Sequence, residues 1–172
     1  MSGPGQYLPD VTEGITRPED LPEPKILRRS RNFRQRPCPH CGKSCFRNRT
    51  FRRVLHDLGH LLSGRPHDIH LVYSQHQCTK CKKFFNADTS EYALPKAHYT
   101  HRVVSVAVRL VVEDGLPYQA ASWHLWRDHR VFVPYATIQN WVEAGGKKGG
   151  PANVDELSRL GPRGLLGVHR GR

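Results

Sequence analysis

Two stretches in the first half of the chain alternate between apolar and polar residues. They cover residues 51–55 and 68–75, and a period of two is typical of strands. The turn-forming residues Ser63, Gly64 and Pro66 lie between them, which predicts that the strands pair as an antiparallel hairpin. One face of the second strand carries Ile69, Leu71, Tyr73 and Gln75, and the other carries His70, Val72 and Ser74.

Beyond residue 99 the apolar positions change to a helical period. A first helix is predicted over 100–114, ended by Gly115, and a second from Pro117 to about His129. A third is predicted from about Tyr135 to Ala144, where two glycines should stop it, with the apolar stretch 131–133 packing beneath the helices. The inward-facing residues expected on these helices are Val104, Ala107, Val108, Val111, Ala121, Leu125, Ile138, Trp141 and Val142.

The two ends of the chain lack such periodicity. Residues 1–35 are rich in proline and arginine, and we interpret them as a disordered basic arm, because they contain too few apolar residues to offset the entropy of folding. The arm is either a solvated tail or a segment that contacts phosphates. Residues 87–98 are predicted to be a linker, and 149–172 a tail rich in glycine and proline. The arginines of the arm and its border are Arg28, Arg29, Arg31, Arg34 and Arg36.

The charge balance indicates the kind of partner. The chain has 27 Lys and Arg against 15 Asp and Glu, a formal net charge of +12, which favours a polyanion such as nucleic acid. A membrane partner is disfavoured, because the apolar stretch 103–112 contains Arg109 and is far shorter than the roughly 18 residues that span a bilayer. No signal peptide is evident, so we expect a cytoplasmic protein associated with the nucleoid.

Four of the five cysteines form two Cys-x-x-Cys pairs, Cys38 with Cys41 and Cys78 with Cys81. In a reducing compartment such pairs are typical of metal ligands, and four thiolates predict one structural zinc ion in a closed tetrahedral site. Gly42 follows the first pair, where a left-handed residue is often required, but a lysine follows the second pair. Cys45 is left over and is interpreted as a spare thiol that could replace a ligand.

Together these predictions describe a small α+β protein. A zinc ribbon with a β-hairpin is expected over 36–86, and a trihelical helix-turn-helix domain over 99–148, between disordered termini. In a helix-turn-helix fold the last helix lies in the DNA major groove. The residues predicted to contact bases or phosphates from this helix and its end are Tyr135, Thr137, Gln139, Asn140, Lys147 and Lys148.

The order of these parts resembles insertion-sequence transposases that begin with a zinc ribbon followed by a helix-turn-helix. The resembling stretches are CPHCGKSCFRNRTFRRVLHDLG, GRPHDIHLVYSQHQCTKCKKFF, HRVVSVAVRLVVEDGLPYQAASWHLW and VPYATIQNWVEAGG. The resemblance implies binding of double-stranded DNA at the terminal repeats of a mobile element. It also implies a downstream RNase H-like domain with three acidic residues. Residues 149–172 are too few for such a domain, which needs on the order of 100 residues. We therefore assign no catalytic residue and expect a truncated transposase without strand-transfer activity.

Three alternatives remain open at this point. A stand-alone transcriptional regulator would use the same parts at an operator and would be expected to dimerise. An RNA-binding basic protein would share the charge and the zinc ribbon. A nuclease would be the enzymatic alternative, and metal-dependent cleavage by the purified chain would support it.

Overall fold

A mixed five-stranded sheet followed by three helices makes up the part of the chain that the computed structural model describes, residues 16–148. The predictions for residues 1–15 and 149–172 lie outside this part. The α+β class is confirmed. The elements are a short 3-10 turn at Pro18–Asp20, strands β1 (Lys25–Arg31), β2 (Gln35–Pro37), β3 (Ser44–His60), β4 (Arg65–Gln77) and β5 (Phe84–Asn86), and helices α1 (His101–Val112), α2 (Tyr118–Asp128) and α3 (Tyr135–Lys148).

The long hairpin of β3 and β4 is the centre of the sheet. The two strands pair antiparallel, with Leu55 opposite Ile69, so the predicted hairpin is confirmed and is longer than the alternating stretches suggested. The chain reverses at residues 61–64, where Gly64 has a φ of 64°. A left-handed residue is required there, and glycine adopts that conformation without steric cost.

Strand β1 corrects the prediction of a disordered arm. Lys25–Arg31 pairs in parallel with β4, and Arg28 lies opposite His70. The prediction was wrong for this segment because it counted buried side chains, whereas an edge strand is stabilised mainly by its backbone hydrogen bonds. Leu27 also packs against the sheet core.

The connection between β1 and β2 crosses one face of the sheet. The strand order is β1-β4-β3-β2, so residues 32–34 must pass from one edge to the other. Phe33 donates its N–H to Ser74 Oγ at 3.1 Å, and its carbonyl oxygen lies 3.3 Å from His76 Nε2. Both Ser74 and His76 are therefore fully buried, although the sequence pattern placed Ser74 opposite the apolar face.

The opposite face of the sheet is covered by the segment predicted as a linker. Ala93 packs against Leu55, Ile69 and Leu71, all of them buried. Arg53 donates hydrogen bonds to the carbonyl oxygens at positions 94 and 97, at 3.1 and 2.8 Å. Residues 87–98 form no helix or strand but are part of the packed structure.

The three helices enclose a separate apolar core. Helix α2 has nearly the predicted bounds, and α1 begins after Thr100, whose side chain caps the helix by accepting from the N–H of Val103. Two details were wrong. The buried stripe of α1 includes Val103 and Leu110, while Val104 and Val111 are only partly buried, and α3 continues through its two glycines to Lys148. The core consists of Val103, Ala107, Leu110, Ala121, Leu125, Val131, Val133 and Ile138.

Strand β3 joins the sheet to the helices. Asp57 is buried in β3 and accepts hydrogen bonds from Thr100 Oγ1 at 2.7 Å and from the Arg102 guanidinium at 3.2 Å. Gly59 donates its N–H to the carbonyl oxygen of His129 at 2.7 Å. A Cβ at Gly59 would lie 2.4 Å from the Cβ of Arg130, so only glycine fits this close approach. None of the helices within residues 16–148 has the length and apolar character needed to cross a bilayer.

Candidate metal centre

The four paired cysteines lie on two turns with the same backbone hydrogen bonds. In the first turn the N–H of Cys38 donates to the carbonyl of Lys43 at 2.8 Å, and the N–H of Gly42 donates to the carbonyl of Cys38 at 2.9 Å. The second turn repeats this pattern from Cys78 to Lys83 and from Lys82 to Cys78, at 3.0 and 2.9 Å. Each turn therefore presents two sulfur atoms in the same way.

Both turns need a left-handed residue directly after the second cysteine. Gly42 has a φ of 73°, and Lys82 has a φ of 61°. The lysine therefore takes the conformation that glycine takes in the first turn, at the steric cost of its Cβ. The missing glycine after Cys81 does not prevent the second turn from forming.

The antiparallel hairpin brings the two turns together at one end of the sheet. The Sγ atoms of Cys38 and Cys81 are 3.6 Å apart, and those of Cys41 and Cys78 are 3.4 Å apart. All four sulfur atoms lie within 4.8 Å of one another. Zinc–sulfur bonds of about 2.3 Å give a tetrahedron with edges of about 3.8 Å, so the four sulfurs have the spacing of a tetrathiolate site.

Backbone N–H groups favour the thiolate form of Cys78. The N–H of Cys81, together with that of Lys80 and the neighbouring thiols, lowers the pKa of Cys78 to about 6, although burial opposes the shift. The N–H of His40 lies 3.4 Å from the sulfur of Cys38. Although the N–H of Lys43 opposes the shift, hydrogen bonding to the Cys78 sulfur and burial raise the pKa of Cys41 to about 11. Because the thiolate is the form that binds metal, Cys78 is the sulfur that the turns prepare most for a cation.

Cys45 lies beside this centre but outside the group of four. Its side chain is buried, and its S–H donates to the carbonyl of Lys43 at 3.2 Å. Burial raises the pKa of this thiol, with Cys78 acting in the same direction, which keeps Cys45 protonated. This geometry agrees with the interpretation of Cys45 as a spare thiol.

Two aromatic side chains that the sequence analysis did not predict, His76 and Phe85, pack beside the centre. The ring of His76 stacks on Phe85 at 5.3 Å between centroids, and Phe85 packs against the buried cysteines. Burial lowers the pKa of His76, so the ring is held neutral. Within residues 16–148, the four cysteines are the only group of three or more cysteine, histidine or acidic side chains spaced to hold a metal ion.

The residues of α3 predicted to contact DNA are not equally exposed. Asn140 is exposed, and Tyr135 is about half exposed. Gln139 donates from its amide to Glu143 at 2.7 Å, and Thr137 lines a groove beside Trp141. Lys147 and Lys148 belong to the helix, but their side chains lie outside the described part of the chain.

The predicted arginines also differ in their surroundings. Arg31 forms an ion pair with Glu91, and the guanidinium of Arg36 lies 4.7 Å from the centroid of the Phe33 ring. Arg29 donates to the backbone carbonyl of Arg28. Within residues 16–148, the side chains of Arg28 and Arg34 are exposed and form no ion pair.

Comparisons of the chain with protein-family models, with curated proteins and with solved structures found no match. The arrangement of the chain's own residues is therefore the basis for assigning a function.

Proposed function

We propose that the chain binds double-stranded DNA sequence-specifically, as the part of a transposase that recognises the terminal repeats of a mobile element. The observation that carries the proposal is the exposed polar side of α3, which follows α2 closely and lies on a strongly basic chain. The four-cysteine site holds one structural zinc ion in this proposal, and β2–β5 around it form a zinc ribbon.

The zinc is assigned a structural role because of the donor set. Four thiolates complete a tetrahedral shell and leave no position for a substrate or a reactive water molecule. Tetrahedral sulfur sites favour zinc or iron, and the proposal takes zinc, the usual ion of structural four-thiolate sites. The metal would fix the two turns relative to each other and so hold the end of the long hairpin.

The DNA-reading role is assigned to α3. Helices α2 and α3 are joined by residues 129–134, and Ile138 anchors α3 in the helical core. By the helical period, Asn140 lies on the side away from Ile138, so its amide is free to face a base edge. Asparagine and glutamine amides pair with adenine in the major groove, and Gln139 could join after releasing Glu143.

Selection of bound sequences from random duplex DNA tests this function. We expect a defined sequence to be enriched, and expect Asn140→Ala to lose about 1–3 kcal/mol of discrimination at one base position. Asn48→Ala, which removes the same side chain from an exposed position of β3, should leave discrimination unchanged. No enriched sequence, or a uniform loss across all sequences in Asn140→Ala, would contradict the proposed base reading.

The position of the enriched sequence in the genome separates the transposase proposal from the regulator alternative. A terminal-repeat reader predicts paired sites at the two ends of one element. A regulator predicts a palindrome beside a promoter and a dimeric protein.

A further inference from the structure

Within residues 16–148, one face of the sheet is open beyond the crossing segment 32–34. Its side chains belong to alternate positions of β1, β4 and β3, because successive residues of a strand point to opposite faces. In the register of the sheet, this face has three rows of side chains across β1, β4 and β3. The first row consists of Ser30, Val72 and Arg52, the second of Arg28, His70 and Val54, and the third of Ile26, Asp68 and His56.

This open face is exposed and mixed in character. Arg28 and Arg52 are exposed, while Ile26 and Val54 are 48% and 42% exposed. A groove on this part of the sheet is lined by residues that include Arg28, Arg52, His70 and Val72. The face therefore offers both cations and apolar contact area to a partner.

The arginines on the two faces of the sheet have different partners. On the covered face, Arg31 pairs with Glu91, and Arg53 donates to two backbone carbonyls of the packed segment. On the open face, neither Arg28 nor Arg52 has a hydrogen-bond or ion-pair partner for its guanidinium within residues 16–148. The carboxylate of the open face, Asp68, lies 2.8 Å from His56 Nδ1 and forms no ion pair with either arginine.

The spacing of the two free arginines suits neighbouring phosphates. Arg28 and Arg52 lie two strand spacings and one row apart, which is about 12 Å between their backbone positions. Duplex DNA carries one negative charge about every 3.4 Å along each strand, so both guanidinium groups can reach phosphates of one duplex. A second copy of the chain fits less well, because two such faces would bring like charges together.

We propose that the open sheet face of Arg28, Arg52 and His70 is a second contact surface, which binds the phosphodiester backbone of the DNA that α3 reads. The proposal rests on the proposed DNA binding and adds to it a rigid cationic surface, where the sequence had predicted a disordered arm. In this proposal Arg28 contacts phosphate as a residue of the ordered strand β1. The apolar side chains between the arginines would pack against sugars.

The test is the salt dependence of duplex binding by the full-length chain. We expect the variant Arg28→Gln/Arg52→Gln to reduce the slope of log K against log salt by about 1.8, because each lost phosphate contact contributes about 0.9. Base preference and metal content should stay as in the unmodified chain. The matched control is Arg102→Gln/Arg109→Gln, which removes two arginines that are already ion-paired and should leave the slope unchanged.

Equal slopes in the unmodified chain and in Arg28→Gln/Arg52→Gln would overturn the sheet-face proposal, while sequence-specific binding would still support the proposed function. A slope that falls equally in the control would also overturn it, because net charge alone would then explain the loss.

Binding without sequence preference, but with the expected slope change, would support the sheet face and contradict the reading by α3. A dimer that this variant dissociates, with an unchanged slope, would mean that the face binds a second copy. If the unmodified chain bound no duplex at low salt, both proposals would fail.

Discussion

The cysteine end of the sheet and the three-helix region differ in what is available to stabilise them. The helical region buries eight apolar residues in one cluster, among them Leu125 and Ile138. At the cysteine end the buried cluster is Cys38, Cys45 and Cys78, with Phe85 packed against it. So small an apolar core cannot hold two turns and two three-residue strands by itself, and metal bonds are expected to take that role.

The largest effect should come from removing one sulfur ligand. Cys78→Ser is expected to lose the metal and unfold the cysteine end, because structural zinc binding contributes on the order of 10 kcal/mol and is coupled to folding. Metal content by mass spectrometry, with circular dichroism, measures both results. The matched control Cys45→Ser should keep one zinc per chain, since this thiol lies outside the group of four. Full metal content in Cys78→Ser would refute the ligand assignment.

The stability of the helical region should depend on its apolar packing and not on the metal. Leu125→Ala removes a fully buried side chain and should lower the free energy of unfolding by about 2–5 kcal/mol, with metal content unchanged. The same substitution at Leu62, which is 84% exposed, should cost little. Denaturant unfolding measures both. If the two variants lost equal stability, the assignment of the helical core would be wrong.

The Asp57 junction should couple the two regions. Asp57→Ala removes the acceptor for Thr100 and Arg102, and we expect a loss of about 2 kcal/mol in the free energy of unfolding. Asp114→Ala, at an exposed position beyond α1, is the control. Unfolding followed separately by tryptophan fluorescence, which reports the helices, and by metal release should give two midpoints in Asp57→Ala. Coincident midpoints with unchanged stability would show that this junction does not couple the regions.

The smallest effects should distinguish the two turns at the cysteine end. Lys82→Gly is expected to raise the free energy of unfolding by about 1 kcal/mol, because it relieves a left-handed residue that has a side chain. Gly42→Ala should lower it by a similar amount. A Cβ at Gly42 meets nothing within 4 Å outside its chain neighbours, so the cost would come from the left-handed backbone and not from a clash with the rest of the protein. Changes of the same sign in both variants would contradict the equivalence of the turns.

The parts predicted correctly depend on local signals. The cysteine pairs, the alternation around Ile69 and Leu71 and the periodicity of α2 each lie within a few residues, and the structure confirms those elements. Strand β1 could not be predicted in this way, since its partner is the edge of β4 about 42 residues later and its exposed side chains give no strand pattern.

Two further errors have a physical reason. Ser74 is buried because the crossing segment covers it, which depends on strand order and not on its own sequence. The glycines at 145 and 146 do not end α3, because a glycine inside a helix costs only about 1 kcal/mol relative to alanine. Local sequence patterns could therefore not predict the strand order or the end of α3.

Hydrogen exchange of the full-length chain, with zinc and after chelation, tests the central claim that metal holds the cysteine end while packing holds the helices. After chelation we expect the amides of Gly42 and Lys82, and those of β2 and β5, to exchange rapidly. Amides within α1 and α2 whose residues belong to the helical core, such as Leu110 and Leu125, should keep their protection. Loss of protection in both regions together, or no change in either, would contradict this account.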